Sequence, residues 1–283
     1  MKDTRIAVVQ MQPRLGDIDY NLNKIKQFIQ QAARHLVDIV CFPEMCLQSY
    51  NREMAAQLSV PLTGPECSTI SSWAMQYRVT VLAGFAEKCA EKGGKPFISQ
   101  LIALPDGSMA VYRKTHLGKS ETPFFQPGNN LPVFETPTCK IGVQICWDLH
   151  FPEASAVLAL KGAEVIFAPH ASPVIVGDRR GIWLKYLAAR AYDNTVYLAA
   201  CNLTGRVGKQ HFCGGALVLD MRGNLLAESF HNQEDMLICT LPAAPLNYVR
   251  SGNPRSMRDT FYLACRRPEL YRELYPEACD LSD

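Results

Sequence analysis

The chain has 283 residues, of which 48% are hydrophobic and 20% are charged, and its formal net charge is +2. This composition is too apolar and too weakly charged for a disordered chain. It also excludes the concentrated basic surface with which proteins bind nucleic acid or an anionic membrane. The length allows one large domain or two small ones, each with a well-buried core.

The sequence predicts a cytoplasmic protein with reduced cysteines. The apolar run over residues 6–9 is shorter than the core of a signal peptide, and no segment reaches the roughly 18 apolar residues that span a bilayer. The 11 cysteines are an odd number, which excludes complete internal pairing. Cys41 and Cys46 are separated by four residues and no matching Cys or His pair follows, so we expect no metal site.

The first half of the chain alternates strand and helix patterns. Leu22, Ile25 and Ile29 recur at three- and four-residue steps, which is typical of a helix with one buried face. The turn Pro105-Asp106-Gly107 joins two strands, and residues 118–132, rich in Gly, Pro and Asn, predict a surface loop. The predicted strands cover residues 5–11, 38–42, 79–87, 100–104 and 110–113, and the predicted helices cover 22–36 and 69–77.

The second half repeats the pattern. Pro152 begins a predicted helix and Gly162 ends it, which is the usual asymmetry of helix ends. A further helix is predicted over residues 181–192, and strands are predicted over 141–146, 165–168, 196–200, 216–219 and 236–240. Strands that alternate with helices and then pair as hairpins indicate a layered α/β domain, followed by an extended tail over residues 242–283.

Three chemically useful residues, Glu44, Lys114 and Cys146, lie at the exits of predicted strands. Ligands bind at the exits of strands in open α/β sheets. The helix that begins after Cys146 favours its thiolate, burial behind a strand suits Glu44 as a general base, and Lys114 has the charge that stabilises an oxyanion. Taken singly, each has an ordinary interpretation: a packed cysteine, a solvated glutamate and an exposed lysine.

The three residues lie in sequence motifs that resemble those of a known family. Residues 42–44 (Phe-Pro-Glu), 112–117 (Tyr-Arg-Lys-Thr-His-Leu) and 142–153 (Gly-Val-Gln-Ile-Cys-Trp-Asp, then Phe-Pro-Glu at its end) resemble the signatures of the nitrilase superfamily of carbon–nitrogen hydrolases. They occur in the family's order and at plausible spacing. The resemblance covers nearly the whole chain and extends to residues 266–271 (Arg-Arg-Pro-Glu-Leu-Tyr).

The resemblance implies a fold and an assembly. The expected fold is a four-layer α-β-β-α sandwich in which residues 1–283 form a single carbon–nitrogen hydrolase domain. Subunits of this family usually pair as homodimers, so we expect residues 242–283 to be used in dimer contacts. No organic cofactor and no metal are implied, and the expected partner is a small-molecule substrate.

The resemblance also implies a catalytic set, Glu44, Lys114 and Cys146. A second glutamate of the family pattern corresponds to Glu121, whose alternative interpretation is a solvated loop carboxylate. In the implied mechanism Glu44 removes the thiol proton, Cys146 attacks an amide carbonyl, and Lys114 with the backbone N–H of Trp147 binds the oxyanion. A thioester forms, and water activated by Glu44 hydrolyses it.

The residues after the nucleophile bear on the substrate. Relatives that hydrolyse N-carbamoyl amino acids carry arginines where this chain has Leu149 and His150, so the motifs are more similar to those of N-carbamoylputrescine amidases and aliphatic amidases. The residues predicted to bind substrate are Trp147, Asp148, His150 and His170. Asp148 has a second interpretation as a helix cap, and His170 has one as a structural histidine.

Three alternatives stay open at this point. Arg179 and Arg180 form either a carboxylate grip or a solvated pair. The same triad serves nitrile hydrolysis, although nitrilases often carry Cys-Trp-Glu where this chain has an aspartate at position 148. A catalytically idle binding protein on the same fold is the third alternative. The favoured hypothesis is a thiol hydrolase that cleaves a small linear amide or N-carbamoyl compound.

Overall fold

The computed structural model describes residues 1–251, 256 and 259–274. Two six-stranded sheets dominate the fold. The first has the order β14-β1-β2-β3-β4-β5, formed by β1 (Thr4–Gln10), β2 (Ile39–Cys41), β3 (Thr80–Glu87), β4 (Phe97–Ala103), β5 (Met109–Arg113) and β14 (Asp235–Leu241). The second has the order β13-β12-β9-β8-β7-β6, formed by β6 (Phe134–Glu135), β7 (Lys140–Val143), β8 (Val165–His170), β9 (Tyr197–Asn202), β12 (Ala216–Leu219) and β13 (Leu225–Ser229).

Each sheet has a parallel centre and antiparallel edges. Strands β1, β2 and β3 are parallel neighbours, as are β7, β8 and β9. Parallel neighbours need crossover connections, which the helices provide. A separate hairpin pairs β10 (Thr204–Val207) with β11 (Gln210–Cys213). The helices are α1 (Ile18–Arg34), α2 (Ala55–Leu58), α3 (Pro65–Tyr77), α4 (Pro152–Leu160), α5 (Arg179–Asn194) and α6 (Ala243–Arg250).

The two sheets pack face to face, and helices cover both outer faces. Alternate residues of β1 show this: Ile6 and Val8 lie in the core between the sheets, whereas Ala7 and Val9 pack against α1 and α3. On the other side, α4 and α5 cover the second sheet. The predicted four-layer α-β-β-α sandwich is therefore confirmed. Central strands are buried on both faces, which explains their continuous apolar runs.

Two predictions about connecting segments need correction. Residues 118–132 form a loop, but the loop is not wholly at the surface, because Glu121 and Phe125 are only 5% and 2% exposed. Residues 242–283 do not begin as an extended tail, since α6 packs Leu246 and Val249 into the core between the sheets. The rest of the segment is described only in part, and its use in dimer contacts stays a prediction.

Several strands carry no signal that the sequence analysis used. The hairpin strands β10 and β11 and the edge strand β13 are largely polar or exposed, and β6 has only two residues. The ten cysteines that the structure describes are free thiols, and Cys279 lies outside the described residues. None of the helices described is long and apolar enough to cross a membrane.

The packing of α6 leads to a test of where the domain ends. Replacing Leu246, which is fully buried, with alanine should lower the free energy of unfolding by about 2–5 kcal/mol, because a cavity opens in the core. Tyr248→Ala on the same helix is the control, since this side chain is 40% exposed and its loss should cost about 0.5 kcal/mol or less. If Leu246→Ala and Tyr248→Ala lose the same free energy of unfolding in urea denaturation, α6 is not part of the core.

Candidate active site

A buried lysine is the centre of the site. Lys114 follows β5 and donates hydrogen bonds from Nζ to Glu44 Oε1 and Glu121 Oε1, both at 2.8 Å. Its side chain is 1% exposed. The backbone on both sides is fixed, since Lys114 N–H donates to the Ile98 carbonyl and Gly128 N–H donates to the Lys114 carbonyl, each at 2.8 Å. The lysine therefore has one position, between two carboxylates.

Glu44 lies in the turn that follows β2 and is 1% exposed. Burial raises the pKa of Glu44 to about 7, while the positive charge of Lys114 opposes this rise and the negative charge of Glu121 adds to it. This direction agrees with the sequence prediction for a carboxylate placed behind a buried strand. A carboxyl group with a pKa near neutrality both accepts and returns a proton under ordinary conditions.

The turn that carries Glu44 lies directly against β3. A Cβ atom at Gly84 would lie 2.2 Å from the Pro43 carbonyl oxygen and 2.5 Å from the Met45 nitrogen, so only glycine allows this approach. Hydrogen bonds from Leu47 N–H to the Gly84 carbonyl and from Phe42 N–H to the Leu82 carbonyl complete the contact. The first sheet therefore fixes the position of the carboxylate.

Cys146 begins a 3-10 helix, Cys146–His150, that follows β7 of the second sheet. Its φ of 47° is in the left-handed region, which costs a residue with a side chain about 1–3 kcal/mol. Asp148 supports the turn, because its Oδ2 accepts the Ile145 N–H at 2.9 Å. Behind the turn, Gln144 accepts a hydrogen bond from Ser155 at 2.6 Å.

One prediction about Cys146 is wrong. A nearby helix was expected to favour the thiolate, but burial and the negative charge of Glu44 raise the pKa of the thiol to about 12, against the lowering effect of Lys114. The 3-10 helix separates Cys146 from α4, so the α-helix does not begin at the sulfur. A thiolate here therefore requires a neighbouring base that takes the proton.

Glu121 is held as firmly as Glu44. Besides Lys114, its Oε1 accepts the hydroxyl hydrogen of Tyr50 at 2.7 Å and its Oε2 accepts the Gly118 N–H at 2.7 Å. It is not the solvated loop carboxylate of the alternative interpretation, because it is only 5% exposed. Both oxygens are therefore engaged within the protein.

A cavity of about 460 Å³ opens beside Cys146. The Ser172 hydroxyl lies 3.9 Å from the Cys146 sulfur. Predicted site residues in its wall are Lys114, Glu121, Cys146, Trp147 and His150, and the remaining residues are Tyr50, Arg52, Ser120, Ala171, Ser172, Pro173, Val176, Arg179, Ile182, Tyr186, Gln210 and Phe212. Within the described part of the chain, no group of three or more His, Cys, Asp or Glu side chains is placed to hold a metal ion.

Two residues predicted to bind substrate do not line this cavity. Asp148 is fully buried, and its Oδ1 and Oδ2 accept hydrogen bonds from Tyr112 Oη at 2.7 Å, His116 N–H at 2.8 Å and Thr115 Oγ1 at 2.9 Å. His170 is also fully buried, with Nδ1 2.8 Å from the Ala168 carbonyl oxygen. Burial is the main reason that the pKa of His170 lies well below its usual range. Both side chains are therefore structural, and Asp148 has no free oxygen for a cationic substrate.

The two arginines that the sequence left open have different positions. Arg180 forms a bidentate pair with Glu228, at 2.6 and 3.0 Å, outside the cavity. Arg179 lines the cavity and makes no salt bridge to any carboxylate among the described residues. The two arginines therefore form neither a joint binding site for a carboxylate nor a solvated pair.

Comparison with known proteins agrees with this geometry. Residues 5–250 match the family model described as Carbon-nitrogen hydrolase. The chain belongs to the nitrilase superfamily. It is 28% identical over 276 residues to a probable nitrilase of Schizosaccharomyces pombe, covering 95% of this chain and 97% of the relative. It is 30% identical over 296 residues to a citrullinase of Francisella tularensis, covering 97% and 99%.

A solved structure of the nitrilase superfamily is similar over almost the entire chain. An amidase from Nesterenkonia sp. AN1 superposes with a TM-score of 0.81 at 26% identity, covering 96% of this chain and 99% of that one. In that structure, a glutamate-to-glutamine variant, acrylamide has added to the active-site cysteine. This chain is therefore a carbon–nitrogen hydrolase with the sandwich fold of its superfamily.

Most residues of the cavity wall were not predicted from the sequence. Tyr50 and Ser172 lie in loops, Tyr186 in α5 and Phe212 in β11, all outside the three motifs, and each reaches the cavity only through the tertiary fold. Tyr50 had one available signal, since it follows the Glu44 motif by six residues in the same chain segment. The other three are far from every motif in sequence.

The anchoring role of Asp148 can be tested by substitution. Asp148→Asn should lower the free energy of unfolding by about 2–4 kcal/mol, because an amide NH2 replaces one oxygen that accepts buried donors. The control is Asp178→Asn at the start of α5, where asparagine caps a helix as well as aspartate does and the change should be about 0.5 kcal/mol or less. If Asp148→Asn and Asp178→Asn lose similar stability in thermal or urea unfolding, the anchoring role of Asp148 is contradicted.

Proposed function

We propose that this chain is a thiol amidohydrolase that cleaves a small linear amide or N-carbamoyl compound through a thioester on Cys146. The observation that carries the proposal is the buried Lys114, which binds the carboxylates of Glu44 and Glu121 and lines the same cavity as Cys146. A nucleophile, a base and a cation for the oxyanion are the three groups that acyl transfer requires. The active-site cysteine adduct of the related amidase supports the same role for Cys146.

In the first step Glu44 takes the thiol proton of Cys146 as the sulfur attacks the carbonyl carbon. Since the pKa values of the two groups are about 7 and about 12, the free thiolate is rare and the proton moves as the carbon–sulfur bond forms. The sulfur becomes bonded to the carbonyl carbon, and the C=O pair moves to oxygen. Proton transfer by a positioned carboxylate contributes about 10²- to 10⁴-fold to rates of this kind.

Lys114 stabilises the oxyanion in this proposal. Burial alone would lower its pKa, but the surrounding acidic groups, chiefly the carboxylate of Glu44, outweigh burial and raise the pKa well above its usual range. Lys114 therefore stays an ammonium throughout and serves as a fixed cation rather than as an acid. Protonated Glu44 then gives its proton to the leaving nitrogen, and the C–N bond breaks to leave the thioester.

Hydrolysis of the thioester reverses these roles. Glu44 removes a proton from water, the hydroxyl oxygen bonds to the carbonyl carbon, and the C–S bond breaks. The proton returns to sulfur and the acid leaves. A cavity of about 460 Å³ is suited to a small linear substrate. Glu121 holds Lys114 and Tyr50 in place and is a positioning residue in this scheme.

A test with the nucleophile removed addresses the whole proposal. Cys146→Ala should reduce ammonia release from a panel of primary amides and carbamoyl compounds by at least roughly 10⁴-fold, with unchanged thermal unfolding. Cys89→Ala, a partly buried thiol in another part of the chain, is the control and should keep full activity. Residual turnover by Cys146→Ala would overturn the proposal.

The same panel separates the alternatives. Turnover of matched nitriles without turnover of amides would indicate a nitrilase, as the name of the Schizosaccharomyces pombe relative suggests for that protein. An idle binding protein would release no ammonia, and iodoacetamide would label its cysteines at one slow rate. Rapid, selective labelling of Cys146 is the expected result.

The pH profile reports the proton that Glu44 must accept. Below a pH of about 7 the carboxyl group is protonated, so kcat/KM should fall about tenfold for each further pH unit. Glu121→Gln removes a negative charge that raises the pKa of Glu44, so the acid limb should move to lower pH. The exposed Glu135→Gln is the control and should leave the limb in place. If the acid limb of Glu121→Gln stays at the same pH or moves to higher pH, the assignment of Glu44 as the base is contradicted.

A further inference from the structure

The cavity beside Cys146 contains more positive charge than uncommitted negative charge. Arg52, Lys114 and Arg179 line it, and Glu121 is the single carboxylate in its wall among the described residues. Both oxygens of that carboxylate are already engaged by Lys114, Tyr50 and a backbone N–H. A cationic substrate would therefore meet no free partner in the described wall, whereas an anionic one would meet two arginines.

Of the two adjacent arginines, Arg180 pairs with a carboxylate of the described residues and Arg179 does not. Arg180 forms a fork of two hydrogen bonds with Glu228. Arg179 has a buried Nε without a hydrogen-bond partner and no salt bridge to any residue that the structure describes. The nearby Asp178 does not compensate it, because that carboxylate accepts the Gly181 N–H at 2.9 Å and caps α5.

Arg179 and the reacting sulfur of Cys146 lie in the wall of the same cavity. Lys114 and Arg179 both lower the pKa of the Cys146 thiol, against the larger effect of burial. The wall of the same cavity includes the apolar side chains of Val176, Ile182 and Phe212. A substrate that fits this arrangement has a reactive carbonyl at one end, an apolar stem and a charged group at the other end.

We propose that Arg179 binds a carboxylate of the substrate, so that the substrate class is a short linear acid with an amide or carbamoyl group at its far end. This inference rests on the proposed amide hydrolysis. The planar guanidinium forms bidentate hydrogen bonds with a carboxylate, and a partly buried cation that pairs with no carboxylate of the described residues gains most from one. Arg52 also has a buried Nε without a hydrogen-bond partner, but it is the weaker candidate because its Nη1 already donates to the Ser120 carbonyl at 3.3 Å.

Three matched amides of equal length test the inference. One ends in a methyl group, one in a carboxylate and one in an ammonium group, and kcat/KM is measured by ammonia release. The wild-type chain should prefer the carboxylate by at least about 30-fold over the methyl compound, and Arg179→Gln should reduce this ratio to about threefold or less, mainly through KM. The matched control is Arg180→Gln, which should keep the ratio of the wild-type chain, because Arg180 points to Glu228 outside the cavity.

A binding measurement separates this inference from catalysis. Cys146→Ala is titrated with the dicarboxylate product by calorimetry, and Cys146→Ala with Arg179→Gln should bind it at least tenfold more weakly. A wild-type preference for the methyl or ammonium compound, or a ratio unaffected by Arg179→Gln, would overturn the carboxylate assignment and leave amide hydrolysis standing. If neither the three amides nor any other amide releases ammonia, the proposed function itself is overturned.

Discussion

The site depends on a lysine ammonium that is buried between two carboxylates. An isolated ammonium in such a place would cost several kcal/mol, and the carboxylates of Glu44 and Glu121 compensate it at 2.8 Å. With both carboxylates ionised, one positive and two negative charges leave a net charge of −1. A thiolate at Cys146 would add a further negative charge, and this repulsion acts together with the larger effect of burial to raise the pKa of the thiol. The cluster therefore holds one proton in common, and on our proposal catalysis moves that proton between Cys146 and Glu44.

This charge cluster is assembled from both sheets. Glu44 and Lys114 follow strands β2 and β5 of the first sheet, whereas Cys146 follows β7 of the second. The distance between nucleophile and base therefore depends on how the two sheets pack, which the apolar layer between them determines. Gly84 and Asp148 then fix the local turns on the two sides, one by the absence of a side chain and one by accepting buried hydrogen bonds. The chemistry is thus supported by packing that contains no catalytic group.

The sequence predicted the central strands and the charge cluster because both follow from local patterns. Strands buried on two faces are continuous apolar runs, and Glu44, Lys114 and Cys146 each stand at the end of one. The role of Asp148 was not accessible in this way, since Tyr112 and His116, which donate to it, come from more than 30 residues earlier in the chain. Strands β10, β11 and β13 carry no alternating apolar pattern, so their formation depends on pairing with neighbouring strands. Local sequence thus identifies reactive residues better than the residues that hold them.

Arg179 and Arg180 are adjacent in the chain but have different surroundings in the folded protein. The two side chains are adjacent in sequence, and only the position of Glu228, 48 residues after Arg180, decides which one is neutralised. On our proposal Arg179 binds the carboxylate of substrate and transition state equally, so it contributes to affinity and selectivity and leaves kcat largely to the cluster at the other end. Hydrolysis then creates a second carboxylate close to Glu44 and Glu121. Repulsion between these negative charges weakens binding of the product relative to the neutral amide end of the substrate, and it favours release of the product.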